Sequence, residues 1–375
     1  MLEFAGIRRF KTLMDSDFPL SNLNVFSGLN GMGKSSLIQT LLLLRQSYER
    51  NTLFNQNQTR NLGLLLQGDY IDLGVGSDVW SMQAEIPNIE FLFKWGENSI
   101  PFEFSFEFKQ SSNLLPISKM PVSNHIERIS LFNKNFQYLA AERIAPQNSY
   151  VMSDYHINDL NSIGIRGEYT IHFIAENSLK NIPMLELVHK KAEANTFLAN
   201  INAWMGEISP GVRINAKVFP QSNIATLAYN FVQGNDVTSE FKPQNVGFGL
   251  TYSLPVVVSL LRAKPEDLVI IENPESHLHP AGQSALGNLC ALAANNGVQL
   301  LIETHSDHFL NGIRVAVKNT IIPPEKVKIF FLHRQEFSPE HSSSVLNPKL
   351  DKNGNLDQWP VGFFDEWEKN LEQLL

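Results

Sequence analysis

Leu23-Asn24-Val25-Phe26-Ser27-Gly28-Leu29-Asn30-Gly31-Met32-Gly33-Lys34-Ser35-Ser36 is the stretch on which the fold turns. Leu23 to Phe26 alternates like a strand, and Gly28-x-x-x-x-Gly33-Lys34-Ser35 follows it directly. Leu37 to Tyr48 then runs rich in Leu and Gln, without Gly or Pro, which suits a helix. Strand, glycine-rich loop and helix are the context that a phosphate-binding loop requires. Small residues let the backbone curl until several N–H groups point at phosphate oxygens. The helix aims its positive end at the same place. Asn30, Gly31, Gly33, Lys34, Ser35 and Ser36 are therefore the expected nucleotide contacts. Lys34 supplies a point charge for the outer phosphates, and the Ser35 hydroxyl is a ligand for Mg²⁺.

Working outward, a second informative stretch is Leu268-Val269-Ile270-Ile271-Glu272, apolar until its last residue. Such a strand lies in a sheet centre and projects its carboxylate from the end, which makes Glu272 the metal-side acid beside a phosphate loop. A further apolar strand, Leu300-Leu301-Ile302, ends at Glu303-Thr304-His305-Ser306-Asp307. A histidine at that edge is placed to sense or orient a terminal phosphate. Lys11 is the candidate for an approach to the nucleotide from the first strands.

The rest of the chain organises around these stretches. Residues 88–108 alternate strongly through Ile89, Phe91, Phe93, Phe102, Phe104 and Phe106, and read as antiparallel strands turning at Gly96-Glu97-Asn98. A further turn is expected at Asn61-Leu62-Gly63. Residues 136–141 read as another strand, 183–208 as helical, and 212–233 as alternating again. From Gly247 onward strands and helices alternate: helix 250–262, strand 268–271, helix 281–294, strand 298–302, helix 307–318, strand 326–332. That order implies a mostly parallel sheet flanked by helices. The expected division is 1–84 and 236–375 for the two halves of a nucleotide-binding head, with 85–235 inserted as a strand-rich and helical lobe.

Composition narrows the classes. The chain has 375 residues, 43% hydrophobic and 10% aromatic, enough for a full core. A formal charge of -8 argues against a uniformly basic surface for nucleic acid. The single cysteine, Cys290, excludes an internal disulfide and fits a reducing cytoplasm. No apolar run reaches the roughly 18–20 residues of a membrane span, so no membrane is expected.

Together the motifs resemble the ABC-type ATPase heads of the SMC, RecF and OLD class, and more closely the bacterial stand-alone AAA-family ATPases with a distinctive C-terminal tail. Gly28 to Ser35 matches the Walker A motif and Leu268 to Glu272 matches Walker B. Ser276-His277-Leu278-His279-Pro280 sits at the D-loop, and Thr304-His305-Ser306 matches the switch histidine. Asn245-Val246-Gly247-Phe248-Gly249-Leu250 falls where the signature belongs, and Trp359-Pro360-Val361-Gly362-Phe363-Phe364-Asp365 matches the stand-alone tail. The resemblance covers residues 1–50, 136–147 and 243–370. It implies an α/β P-loop NTPase of ABC ATPase-head type: a mostly parallel sheet flanked by helices, an antiparallel β lobe and an inserted α/β lobe. It also implies ATP with Mg²⁺, and a head-to-tail homodimer or higher homo-oligomer in which Asn245 and Gly247 meet the γ-phosphate of the other subunit. By carry-over the metal set is Ser35, Glu272 and Gln67.

One position departs from the family. The catalytic acid expected after the Walker B carboxylate is replaced by Asn273, and an amide orients water without taking its proton. Hydrolysis is then slow with ATP as a clamp, or Glu275 or Glu303 supplies the carboxylate, or a partner does. Slow hydrolysis with help from Glu303 is favoured, which gives a catalytic set of Glu272, Asn273, Glu303 and His305. The insert shows no heptads, so a small switch is expected rather than long arms. With the chain running to Leu375, no appended nuclease region is expected, and any cutting is expected of a separate effector, a nuclease or toxin. DNA is a further partner class, and the setting by analogy is phage defence or DNA repair. The alternatives are a non-hydrolysing ATP-dependent scaffold and a transporter ATPase.

Overall fold

The computed structural model describes residues 1–54, 62–96, 101–121, 126–334 and 343–374. Asn61 and the Glu97-Asn98 part of the expected turns lie outside them. The chain separates into two compact units: Met1–Asn133 with Lys328–Lys349 and Asp357–Leu375, and Lys134–Val327 with Leu350–Leu356. Among the described residues no helix is long and apolar enough to cross a membrane.

In the first unit the early alternation becomes a six-stranded antiparallel sheet. Its order is Leu13–Pro19, Leu2–Phe10, Asn88–Trp95, Phe102–Glu107, Leu114–Lys119, Gly63–Leu65. Ile7 pairs with Ser16 on one side and Phe91 on the other. Period-two alternation puts Phe91, Phe93, Phe104 and Phe106 in the core, where Phe91 meets Phe106 edge-on at 5.7 Å. A second set of strands runs Ser343–Leu346, Val327–Arg334, Leu23–Gly28. Phe26 stacks on Phe330 at 5.1 Å, and Phe18 closes the cluster at 5.4 Å from Phe330. The tail motif serves this unit: Trp359 packs on Phe363, and Phe363 on Phe331 of the Val327–Arg334 strand.

The second unit holds the acidic strands. Leu268–Glu272 lies between Phe136–Leu139 and Gln299–Glu303, parallel to both, with Ile270 opposite Tyr138 and Leu301. The four apolar residues Leu268 to Ile271 are buried, as expected of a strand covered on both faces. Residues 85–235 are shared between the units, since their first strands join the antiparallel sheet and Phe136–Leu139 joins this row. Val212–Phe219 and Ile224–Gln233 form a hairpin, with Phe219 opposite Ile224.

The helices follow the reading closely at the C-terminal end: Phe248–Arg262, Pro280–Asn295 and Asp307–Lys318. Residues 183–208 differ, for the helix there is only Phe197–Ile208, preceded by a single turn at Leu185–Leu187. The Asn200 side chain explains the difference. It bonds the His189 N–H and the Ala194 and Thr196 carbonyls, and so holds the intervening backbone in a loop. Pro280–Asn295 and Asp307–Lys318 touch backbone to backbone at two glycines. A Cβ on Gly287 would come within 2.3 Å of the Phe309 oxygen, and one on Gly312 within 2.2 Å of the Ser284 oxygen.

Candidate functional site

The loop Gly28 to Ser35 gains its shape from missing side chains. Gly28 has φ of 146°, and a Cβ there would lie 2.1 Å from the Leu332 oxygen. Gly33 has φ of 78° and would meet Thr12 Oγ1 at 2.5 Å. Gly31, also at 78°, faces open space. Gly33 is the N-cap of the helix Lys34–Glu49; no side chain caps it, and no acidic residue stands in the first turn. The Ser36 N–H turns back to the Gly33 oxygen at 2.9 Å, and no carboxylate in the first turn competes for an anion at this helix start. Lys34 is 5% exposed and donates from Nζ to the Leu29 oxygen at 2.8 Å. Asn30 and Gly31 are exposed, Ser35 is half-buried and Ser36 is buried. An uncapped, acid-free helix start with a captive ammonium fits a polyphosphate.

Three of the four expected catalytic residues meet at one turn in the second unit. Glu272 and Glu303 are register partners at the ends of adjacent parallel strands, and the Asn273 N–H donates to the Glu303 backbone oxygen at 2.8 Å. His305, exposed, enters through its backbone, whose N–H donates to Glu275 Oε1 at 2.7 Å. Asn273 has φ of 44°. Asn tolerates this left-handed conformation better than most residues, so the amide has a conformational reason to be here as well as a chemical one.

The support for this turn comes from residues 138–143. Tyr138 donates its hydroxyl to Glu272 Oε1 at 3.1 Å, and the Ala141 N–H donates to Glu272 Oε2 at 3.2 Å. Arg143 donates to the backbone oxygens of Glu272 and Asn273. Burial raises the Glu272 carboxyl above its ordinary range, while the Ala141 and Tyr138 bonds and the Arg143 charge pull it back. Burial, then the Glu272 charge, pushes the Tyr138 phenol far up, so it remains a donor. Burial lowers Arg143 to about 10, which leaves it charged at neutral pH. Glu275 and Glu303 are both buried. Tyr138, Ala141 and Arg143 have no place in the motif set, and their only signal in the sequence is that residues 136–147 share in the resemblance.

The expected signature residues occupy a helix start. Asn245 ends a short turn, Pro243–Asn245, and Gly247 is the N-cap of Phe248–Arg262, without a side-chain cap or an acidic residue in the first turn. Both are exposed. A Cβ on Gly249 would meet the His277 oxygen at 2.5 Å, so the helix start and the His277 turn are in backbone contact. Between them opens a cavity of about 470 Å³ lined by Phe241, Asn245, Gly247, Leu250, His277 and His279.

The expected metal residues divide between the units: Ser35 and Gln67 in the first, Glu272 in the second. Gln67 is exposed and accepts from Asn113 Nδ2 at 2.9 Å. Lys11 donates to Gln39 Oε1 at 2.7 Å, and burial lowers its pKa. Among the described residues no group of three or more His, Cys, Asp or Glu is placed to hold a metal ion by itself.

The fold has known counterparts. The chain is similar in fold to an SMC head bound to the C-winged helix domain of ScpA, at 14% identity and a TM-score of 0.50, over 93% of this chain and 98% of that one. It is also similar to a Pyrococcus furiosus SMC head with an extended coiled coil, bound to the C-terminal domain of ScpA. That match has 12% identity and a TM-score of 0.51, over 100% of this chain and 99% of that one. At these identities the likeness establishes the fold, that of an SMC-head P-loop ATPase. No curated protein sequence matches. Residues 322–374, which include the tail motif, match a family described as a protein of unknown function, DUF3696. Residues 23–311, most of the chain, match the model of AAA_21, described as AAA domain, putative AbiEii toxin, Type IV TA system. The chain belongs to that AAA domain family and is an ATPase of the SMC/AAA type.

Proposed function

We propose that this chain binds ATP with Mg²⁺ on Gly28 to Ser35, hydrolyses it slowly, and works as a head-to-tail homodimer that switches a separate effector. The observation that carries the reading is the uncapped, acid-free start of the helix Lys34–Glu49 behind a glycine loop. In this reading Asn30, Gly31, Gly33 and Ser36 offer polar contacts to the triphosphate, and Lys34 offers charge. Ser35, Glu272 and Gln67 are the candidates to hold the metal, which when bound neutralises charge developing on the phosphates. Asn273 orients water, Glu303 takes its proton and His305 faces the terminal phosphate. Asn245 and Gly247 serve the nucleotide of the second subunit, for which their uncapped helix start is suited. Functionally the chain divides into head segments 1–84 and 236–375 around an insert, 85–235. The two SMC heads are bound to domains of ScpA; by analogy a separate protein, a nuclease or toxin, is the effector here, in the cytoplasm, with phage defence or DNA repair as the setting.

Steady-state hydrolysis is the test. Lys34→Ala is expected to lower turnover by about 100-fold or more, and light scattering is expected to show dimers that need ATP. Turnover that survives Lys34→Ala would sink the reading. A second reading, a non-hydrolysing scaffold, is favoured by Asn273, because its amide cannot act as a base. ATP-dependent dimerisation without any Lys34-dependent turnover would establish it. Stimulation by double-stranded DNA that weakens with salt would bring in nucleic acid.

A further inference from the structure

Arg143 follows the strand Phe136–Leu139 and is 1% exposed. Its guanidinium spends two nitrogens on consecutive backbone carbonyls: Nη2 on Glu272 and Nη1 on Asn273, the latter at 3.0 Å. A planar fork can do this, whereas an ammonium is a point charge. The Asn273 oxygen also accepts from the Ser276 N–H at 3.2 Å, and the Asn273 N–H is held by the Glu303 oxygen. Asn273 is thus fixed on both sides in a left-handed conformation that the chain would otherwise leave readily. The charge of Arg143 lies beside the Glu275 and Glu272 carboxylates, in that order of influence.

Three side-chain atoms of this turn and its clamp are buried and lack a hydrogen-bond partner: Asn273 Oδ1, Glu275 Oε2 and Arg143 Nε. The second belongs to a carboxylate that is 9% exposed and whose other oxygen accepts from His305 N. A buried carboxylate oxygen without a hydrogen bond is costly; the Arg143 charge offsets part of that cost, and a donor from outside the chain would complete it. Water is the simplest species that donates to such acceptors.

We propose that Arg143 is a positioning residue for ATP hydrolysis, whose fork locks the turn Glu272–Glu275 so that Asn273 and Glu275 are presented as rigid acceptors. This rests on the ATPase reading above. Arg143 itself meets only the turn, never the reacting atoms.

The test compares the full chain with Arg143→Met and Arg143→Lys. Arg143→Met is expected to lower kcat by about 10- to 100-fold, as loss of a supporting contact does. The KM for ATP and the affinity for a fluorescent ATP analogue stay within about threefold, because the phosphate loop is untouched. Arg143→Lys keeps the charge but loses the fork, and its kcat remains at least about tenfold down. Hydrogen exchange in the nucleotide-free protein is expected to quicken at the Asn273, Ser276 and His305 amides in both variants. Unchanged kcat in Arg143→Met, full recovery in Arg143→Lys, or loss of ATP affinity in step with kcat would each overturn the proposal. Should Arg143→Met fail to fold, Arg143→Lys decides alone. Should the unmodified chain show no Lys34-dependent turnover, the ATPase reading falls by itself. Exchange at those three amides then still decides whether Arg143 holds the turn: quickening in Arg143→Lys supports it, and unchanged exchange overturns it.

Discussion

The phosphate loop and the acid turn reach rigidity by opposite means. The loop is built by leaving side chains out: Gly28 and Gly33 yield their space to the Leu332 oxygen and the Thr12 hydroxyl. The turn is built by bringing side chains in: Tyr138 and Arg143 each supply a bond that its own backbone lacks. Omission is recorded in the local spacing of glycines. Supply arrives from more than a hundred residues away and leaves no local trace.

The largest test of this contrast adds a single carbon to the loop. Gly28→Ala places a Cβ against backbone and at a φ that L residues avoid. A cost of at least about 3 kcal/mol is expected from strain and overpacking together, read by urea unfolding, with ATP binding lost. A stable variant that still binds ATP would show that the loop does not depend on omission.

The next test removes one contribution at the turn. Glu303→Gln keeps the shape and the backbone bond to Asn273 but removes the base. If Glu303 takes the proton, turnover falls by about 100-fold or more while ATP affinity holds. Unchanged turnover removes Glu303 from the mechanism and leaves Glu275 as the carboxylate to examine.

A smaller effect separates the conformational role of Asn273 from its chemical one. Asn273→Ala should be about 1 kcal/mol less stable than Asn273→Gly, because only glycine takes the left-handed conformation without penalty. Equal stabilities would mean that φ does not explain the asparagine, and the chemistry of its amide would then carry the position.

How much of this was legible divides along the same line. The helix expected at 307–318 is Asp307–Lys318; the strand expected at 268–271 is Leu268–Glu272, one residue longer, and the one expected at 298–302 is Gln299–Glu303, shifted by one residue. Long apolar runs bounded by polar residues state their own limits. The helix expected from Leu37 to Tyr48 is Lys34–Glu49, because its first turn is built from the Lys-Ser-Ser of the loop motif itself. Arg143 reads in sequence as the residue that ends a strand; its partners are two carbonyls, and carbonyls are the same at every position. The loop within 183–208 was hidden likewise, because it depends on where the Asn200 amide points.

The smallest effect is a control at the far end of the acidic strand. Burial raises the Asp267 carboxyl above its ordinary range, against the Lys264 N–H bond and the Arg262 and Lys264 charges. The folded state then holds this proton to higher pH than the unfolded chain does. Its contribution to stability therefore falls as pH rises from the ordinary carboxylate range through the raised value. Asp267→Asn should flatten that slope in urea unfolding and leave ATP turnover alone. A loss of turnover would extend the functional turn along the whole strand.

The paired glycines between Pro280–Asn295 and Asp307–Lys318 carry a mechanical consequence. Helices separated by long side chains slide on one another as rotamers give way. These two meet at main-chain atoms, and the Ser306 hydroxyl bonds Gln283 across the same seam. Such a joint has almost no backlash. The turn that leads into one helix carries His277 and His279, and the turn that leads into the other carries His305. Each of those turns therefore leads straight into a helix that is seated against the other, main chain to main chain.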